Sequence, residues 1–342
     1  MKRKIAVAGE VPYEQYFRSP FLLEGRHHEC ATFYLQWDGP SLRVTLTSFD
    51  GPAPRTASIS LHRLPRELAD LDLLIFTFPL RPVVRGFCLK RLLRPTLCFW
   101  DYFDDFYYGN KTLPKVILTS IWQKMCDRVL VLSPTLLPRF HNSIHWDNAS
   151  DLIPRQRSPN PRPILGTIAS LDERFDRALY ERLLDRLPDC DFHLYGRINN
   201  YRNRNYNRVR LVEAWLKALA RRPNFRYFGG YSSQQLQAIV SSFDIGLIPY
   251  VPGPLCEHIN PDKYYHYTNA GVPVLSSPIP SLLHRKNIVF YSGFEDLAEK
   301  GSLLAAGCRE PVAAVRFNWA DRLVELLAVI ENTSALRSGK GP

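Results

Sequence analysis

Short apolar runs recur along this chain, each closed by a polar or turn residue and separated from the next by a stretch compatible with a helix. In the first half they cover residues 5–8, 71–78, 95–100 and 128–133. In the second half they cover 163–168, 191–196, 225–229, 244–250 and 272–276. A run without polar alternation is buried on both faces, as the strands of a parallel sheet are. Parallel strands need crossover segments, and residues 178–187 and 233–242 have the pattern of crossover helices. An amphipathic helix follows over 319–331. The expectation is an α/β chain whose ligand loops follow the C-terminal ends of the strands.

The strand series is interrupted once. Residues 151–163 carry Pro154, Pro159, Pro161 and Pro163 and no helical period, which marks a linker. A chain of 342 residues allows two domains of roughly 100–200 residues, each able to bury its own core. The expected boundaries are 1–155 and 160–316, with a terminal helix over 317–335.

Lys and Arg number 44 against 33 Asp and Glu, a net charge of +11 that attracts nucleic acid, anionic lipid or phosphate-bearing substrates. The excess peaks over 197–222, where Glu213 is the one acid. Tyrosines among the arginines there would suit base stacking, but a solvated loop and helix face is the preferred reading, and no nucleic-acid partner is expected. The seven cysteines show neither CxxC pairs nor metal-ligand spacing, so reduced thiols, a cytoplasmic location and no bound metal are expected. The apolar run at residues 5–8 is too short for a signal peptide and Glu10 interrupts it. No stretch approaches the ~20 apolar residues of a spanning helix. Any contact with an anionic membrane is therefore expected to be peripheral, at the inner face of the plasma membrane.

The most informative segment is Asn260-Pro261-Asp262-Lys263-Tyr264-Tyr265-His266-Tyr267-Thr268-Asn269-Ala270-Gly271. Asn260 is a favoured N-cap, Pro261 suits the first helical position, Asp262 suits the positive end of the dipole, and Gly271 can take the left-handed stop. A helix start of this kind suits phosphate, and Lys263 adds a cation in its first turn. Asp262 and His266 lie one turn apart on a common face.

Together with Phe243-Asp244-Ile245-Gly246-Leu247-Ile248-Pro249-Tyr250, this segment resembles the DIGLIPY…NPxKxYEYLAAGxPVVS pattern of bacterial GT-B glycosyltransferases, which build capsule, teichuronic acid or lipopolysaccharide sugars. Residues 165–176, 224–231 and 317–322 also resemble that family. The likeness is good over about 160–330 and loose before it.

The resemblance implies two Rossmann-like domains facing a cleft, the second binding a nucleotide sugar and the first an acceptor. The terminal helix would pack back toward the first domain. It implies transfer of a hexose from a UDP- or GDP-linked donor to a glycan or lipid-linked acceptor, with retention and without a cofactor. Arg174 and Lys263 would hold the diphosphate. Gly166, Thr167, Gly196, Tyr231 and Asn260 would line the donor site. Relatives often carry two Glu eight residues apart, one for the donor sugar and one for the ribose. Here those positions hold His258 and His266, with Glu257 beside the first, so His266 would meet the ribose and Glu257 or His258 the sugar. A relative that binds sugar nucleotides or glycans without catalysis is an alternative, and a basic nucleic-acid-binding protein is another.

On the acceptor side, Asp104 and Asp105 follow the apolar run at 95–100 and could orient or deprotonate an acceptor hydroxyl. The alternative is a helix-capping acidic turn over an aromatic core. Tyr107 could stack on a sugar ring, and Arg18 could meet an anionic acceptor.

Overall fold

The computed structural model describes residues 2–9, 20–24, 30–37, 43–51, 53–77, 83–102, 113–154, 160–198, 206–307 and 317–337. The chain divides into two compact units, Met1–Asn148 with Asn318–Pro342, and Ala149–Phe317.

The first unit contains β1 (Arg3–Gly9), α1 (Pro20–Glu24), β2 (Cys30–Trp37), β3 (Arg43–Ser48), β4 (Arg55–Ser60), α2 (Leu64–Glu67), β5 (Leu73–Thr77), α3 (Val83–Leu93), β6 (Leu97–Tyr102), α4 (Leu113–Met125), β7 (Arg128–Val131) and β8 (Ser143–His145). The strand order is β4-β3-β2-β1-β5-β6-β7-β8. β1 pairs in parallel with β2 and β5, whereas β2, β3 and β4 form an antiparallel meander. The strands expected from apolar runs are β1, β5, β6 and β7. β2, β3, β4 and β8 fall outside those runs; Thr and Ser occupy much of β3 and β4, and β4 is an edge strand exposed along most of its length.

β5 and β6 are buried at every position. Around them Trp100 packs edge-on against Tyr102 and Phe140, and Phe76 against Trp122. Gly86 of α3 lets α4 approach: a Cβ there would lie 2.4 Å from the Trp122 ring. The terminal helix Trp319–Arg337 belongs to this unit and buries Trp319, Leu323, Leu326 and Ile330. Trp146 Nε1 donates to the Arg322 carbonyl at 3.0 Å.

The second unit contains β9 (Ile164–Ile168), α5 (Arg177–Arg186), β10 (Asp191–Tyr195), α6 (Tyr206–Leu219), β11 (Phe225–Gly229), α7 (Ser233–Ser241), β12 (Ile245–Ile248), α8 (Asp262–Asn269), β13 (Val274–Ser276), β14 (Ile288–Phe290) and α9 (Phe294–Gly307). Every strand pairing is parallel and the order is β11-β10-β9-β12-β13-β14. The winding reverses between β9 and β12, where open α/β sheets bind their ligands. Gly166 in β9 gives room to Phe243, since a Cβ there would fall 2.0 Å from its ring. In α6, Val212, Trp215, Leu216 and Leu219 face the core while Arg210, Glu213 and Lys217 are exposed. Much of the basic segment is thus the solvated face of an amphipathic helix.

Candidate functional site

A cavity of about 590 Å³ opens at the C-terminal ends of β9, β10 and β11, on the side where the winding reverses. Ser170 follows β9, Gly196 and Arg197 follow β10, Tyr231 follows β11, and α8 contributes Asp262 and Lys263. Only glycine serves at 196. Its φ is +146°, and a Cβ would lie 1.6 Å from the Ala169 carbonyl oxygen.

α8 is fixed by its tyrosines. Tyr267 lies over Gly246, where a Cβ would come within 2.4 Å of the ring, and its hydroxyl accepts from the Ile168 amide at 2.9 Å. Tyr264 donates to the Lys286 carbonyl at 2.8 Å. At the other end of the helix, Gly271 takes φ +73° and stops it. Asn269 donates to the Ser150 and Phe317 carbonyls, so α8 is tied to both ends of this unit. The helix start differs from the sequence expectation. Pro261 is the N-cap and no side chain caps the helix, because the Asn260 amide oxygen accepts instead from the Tyr265 hydroxyl at 3.0 Å. The N-cap thus offers no side chain to this helix start, which stands beside the cavity, while the Asp262 carboxylate accepts from the Lys263 amide at 2.8 Å.

Lys263 is buried, yet its ammonium keeps its charge. Nζ donates to the Tyr250 hydroxyl at 2.5 Å, stands 4.8 Å from the centre of that ring, and lies 3.9 Å from Asp262. Burial alone would lower its pKa; Tyr250 and Asp262 outweigh that and raise it above the ordinary lysine value. The Arg174 guanidinium sits 5.7 Å from the same Tyr250 ring and is oriented by Asp172, whose carboxylate accepts from Nε at 3.0 Å and also from Nη2. Backbone bonds hold the two loops together: Val251 N donates to the Arg174 carbonyl and Asp176 N to that of Pro249, both at 2.8 Å. The packing around Asp262 pushes its carboxyl upward, but Lys263 and His266 prevail and hold it below the usual carboxylate range. The site therefore presents two oriented cations around one tyrosine, with a carboxylate at the rim.

No family model matches the chain, and no curated protein matches it. Among solved structures it is similar to a sucrose-phosphate synthase from Thermosynechococcus elongatus, at 14% identity over 98% of this chain and 100% of that one, with a TM-score of 0.66. It is also similar to HepE from Anabaena, solved in complex with UDP and glucose, at 12% identity over 96% and 99% with a TM-score of 0.63. A UDP-GlcNAc 2-epimerase from Neisseria meningitidis, solved with UDP-GlcNAc, matches at 10% identity over 97% and 100% with a TM-score of 0.53. The fold is GT-B. GT-B chains comprise two Rossmann-like α/β units, and both sheets here have that character.

Within this GT-B chain, the structure gathers Arg174 and Lys263 around Tyr250 and places Gly196 and Tyr231 on the cavity wall. Gly166 and Thr167 lie inside β9, and the cavity wall begins at the next residue, Ile168. His258 is largely buried, with Nε2 3.9 Å from the exposed Glu257 carboxylate. His266 lies on α8 with Nδ1 2.8 Å from the Ser150 hydroxyl. Burial keeps its pKa below the ordinary imidazole value despite Asp262. Arg18, Asp104, Asp105 and Tyr107 lie outside the described residues.

Three contributors went unnamed in the sequence reading of the site: Tyr250, Asp172 and Arg197. Tyr250 closes the quoted run from Phe243 and Asp172 stands two residues before Arg174, so their positions carried a signal. Their contacts depend on the adjacency of β9 and β12. No group of three or more His, Cys, Asp or Glu that could hold a metal ion occurs among the described residues. None of their helices is long and apolar enough to cross a membrane.

Proposed function

We propose that the second unit binds a UDP- or GDP-linked sugar in this cavity, and that the protein transfers the hexose to a glycan or lipid-linked acceptor. The observation that carries this reading is a buried, charged lysine in the first turn of α8, lining a cavity at the reversal of the sheet. A helix start and two cations suit a diphosphate. When the anomeric C–O bond breaks, its electron pair goes to the departing diphosphate oxygen, and Lys263 and Arg174 stabilise that charge. Their pre-orientation by Tyr250 and Asp172 lowers the reorganisation needed at that moment. With retention, the acceptor hydroxyl enters on the face the diphosphate leaves, and the diphosphate oxygen takes its proton. HepE, solved with UDP and glucose, supports the choice of ligand class. Asp104 or Asp105 would orient the acceptor, with Tyr107 and Arg18 beside it. Cell-surface polysaccharide synthesis at the inner face of the plasma membrane belongs to the same proposal.

In the donor site, His266 keeps one imidazole nitrogen for a ribose hydroxyl while the other meets Ser150. Glu257 or His258 takes the sugar. Replacement of both family glutamates by His258 and His266 also favours a second reading, a protein that holds the sugar nucleotide without transferring it.

Thermal-shift titration with UDP, GDP and their sugars tests the binding site, using Lys263→Ala and Arg174→Ala as controls. Saturation at ~100 times Kd stabilises a protein by about 2.7 kcal/mol, a shift that is easily read. The reading fails if no nucleotide stabilises the wild type. The residue roles fail if both variants respond as the wild type does. Release of free nucleoside diphosphate from a bound donor separates an enzyme from a non-catalytic binder.

A further inference from the structure

Two helices of the first unit carry apolar side chains where a water-facing surface ordinarily carries polar ones. In α4 the stripe Leu113, Val116, Ile117, Ser120, Ile121 and Lys124 follows the i, i+3, i+4, i+7 rule of one helical face. Every member is exposed, Leu113 by 73%, while Thr119 and Trp122 on the opposite side are buried. In α3 the corresponding stripe is Val84, Phe87, Cys88 and Arg91, with Val84 exposed by 70% and Phe87 by 56%, above buried Gly86 and Leu89. β5, β6 and β7 are consecutive parallel neighbours, so right-handed crossovers place α3 and α4 on the same side of the sheet. The Gly86–Trp122 contact confirms their adjacency. Both helices run in the same direction, so their exposed stripes lie side by side.

The charge on this surface has one sign. Neither α3 nor α4 contains Asp or Glu. Arg91, the following Arg94, and Lys124 are exposed at the C-terminal ends of the two helices. Asp127, the next acid after α4, is 3.4 Å from Arg337 Nε. On the two exposed stripes the apolar residues thus come first and the cations last, while Arg85 and Lys115 of the first turns are half-buried. At 1.5 Å per residue, Arg91 lies about 6 Å beyond Phe87 along the axis, and Lys124 about 10 Å beyond Ile117. Interfacial helices lie in the membrane plane and bury such an apolar face by about 5–10 Å. With the apolar stripes at the acyl boundary, the long side chains of Arg91 and Lys124 carry their charges up to the phosphate level.

We propose that α3 and α4 form a docking surface for an anionic lipid bilayer. Phe87, Ile117 and their apolar neighbours enter the interface, and Arg91, Arg94 and Lys124 select negatively charged headgroups. This inference deepens the proposed placement at the inner face of the plasma membrane, but it is argued from the first unit alone and is independent of nucleotide binding.

Flotation of the full chain with vesicles tests it. Vesicles of phosphatidylglycerol mixed with phosphatidylcholine should retain the wild type at least about tenfold more strongly than phosphatidylcholine alone, as expected for a few basic residues near an anionic surface. Phe87→Glu with Ile117→Glu should lower that binding about tenfold or more. Arg91→Gln with Lys124→Gln should abolish the preference for phosphatidylglycerol. These positions are exposed, so both variants should keep the wild-type thermal midpoint; if the glutamate variant unfolds, the glutamine variant decides. Equal binding to both vesicle types overturns the proposal, as does a folded glutamate variant that floats like the wild type. A wild-type dimer in light scattering that becomes monomeric in that variant, with no vesicle binding by either, overturns it in favour of self-association.

Discussion

The two units hold their cations in opposite ways. In the second, Lys263 is buried against Tyr250 and Asp262, and Arg174 is gripped by Asp172. In the first, Arg91, Arg94 and Lys124 project into water beside exposed apolar side chains. A buried cation with fixed partners is set for one anionic group in one geometry, because its solvation has already been replaced by oriented dipoles. An exposed flexible cation recognises a field of negative charge and is screened by salt. The same residue types thus suit a defined ligand in one unit and an extended surface in the other.

The largest effect comes from the glycines that bring these elements into place. Gly246→Ala should cost about 3 kcal/mol, since the new methyl meets the Tyr267 ring that seats α8. Gly86→Ala creates a comparable collision with Trp122, but it lies within a helix, where Ala gains about 1 kcal/mol over Gly. Its net cost should therefore be smaller. Denaturant unfolding followed by a probe in each unit measures both, and equal costs would break this part of the comparison.

The cations themselves come next. Lys263→Ala removes the Tyr250 bond and leaves a void, and should cost about 2 kcal/mol in stability. Arg91→Ala or Lys124→Ala should change stability by less than about 0.5 kcal/mol. If the surface variants are as destabilised as Lys263→Ala, the distinction between buried and exposed cations fails.

A smaller effect depends on pH. Burial holds the His266 pKa below the ordinary imidazole value of about 6.5, so the unfolded chain takes up a proton that the folded unit refuses. Above that value His266 is neutral in both states and contributes no slope. As pH falls from about 6.5 toward the depressed folded pKa, it should reduce stability by up to about 1.4 kcal/mol per pH unit. The wild type should therefore lose more thermal stability than His266→Gln between pH 8 and a pH near 5. Parallel curves would remove His266 from the account.

Much of the second unit was legible because its strands are short apolar runs and its key helix carries a local stop: Gly271 at φ +73°. The first unit was less legible. β3 and β4 lack an apolar run, and their place follows from the pairing of β3 with β2 and of β4 with β3 rather than from their own composition. Asn260 shows how a sound local reading can be superseded. It is a favoured cap, but the Tyr265 hydroxyl, brought near by the fold of α8, takes its oxygen instead.

Local chemistry sufficed for the alternation of strands and helices and for the placing of Pro261, Asp262 and Lys263 where a helix begins, because those depend on residues within a turn or two of each other. It took long-range packing to set Tyr250 between Arg174 and Lys263 and to turn the apolar stripes of α3 and α4 toward water. Both depend on which strands become neighbours, and strand order is settled by the packing of the whole sheet.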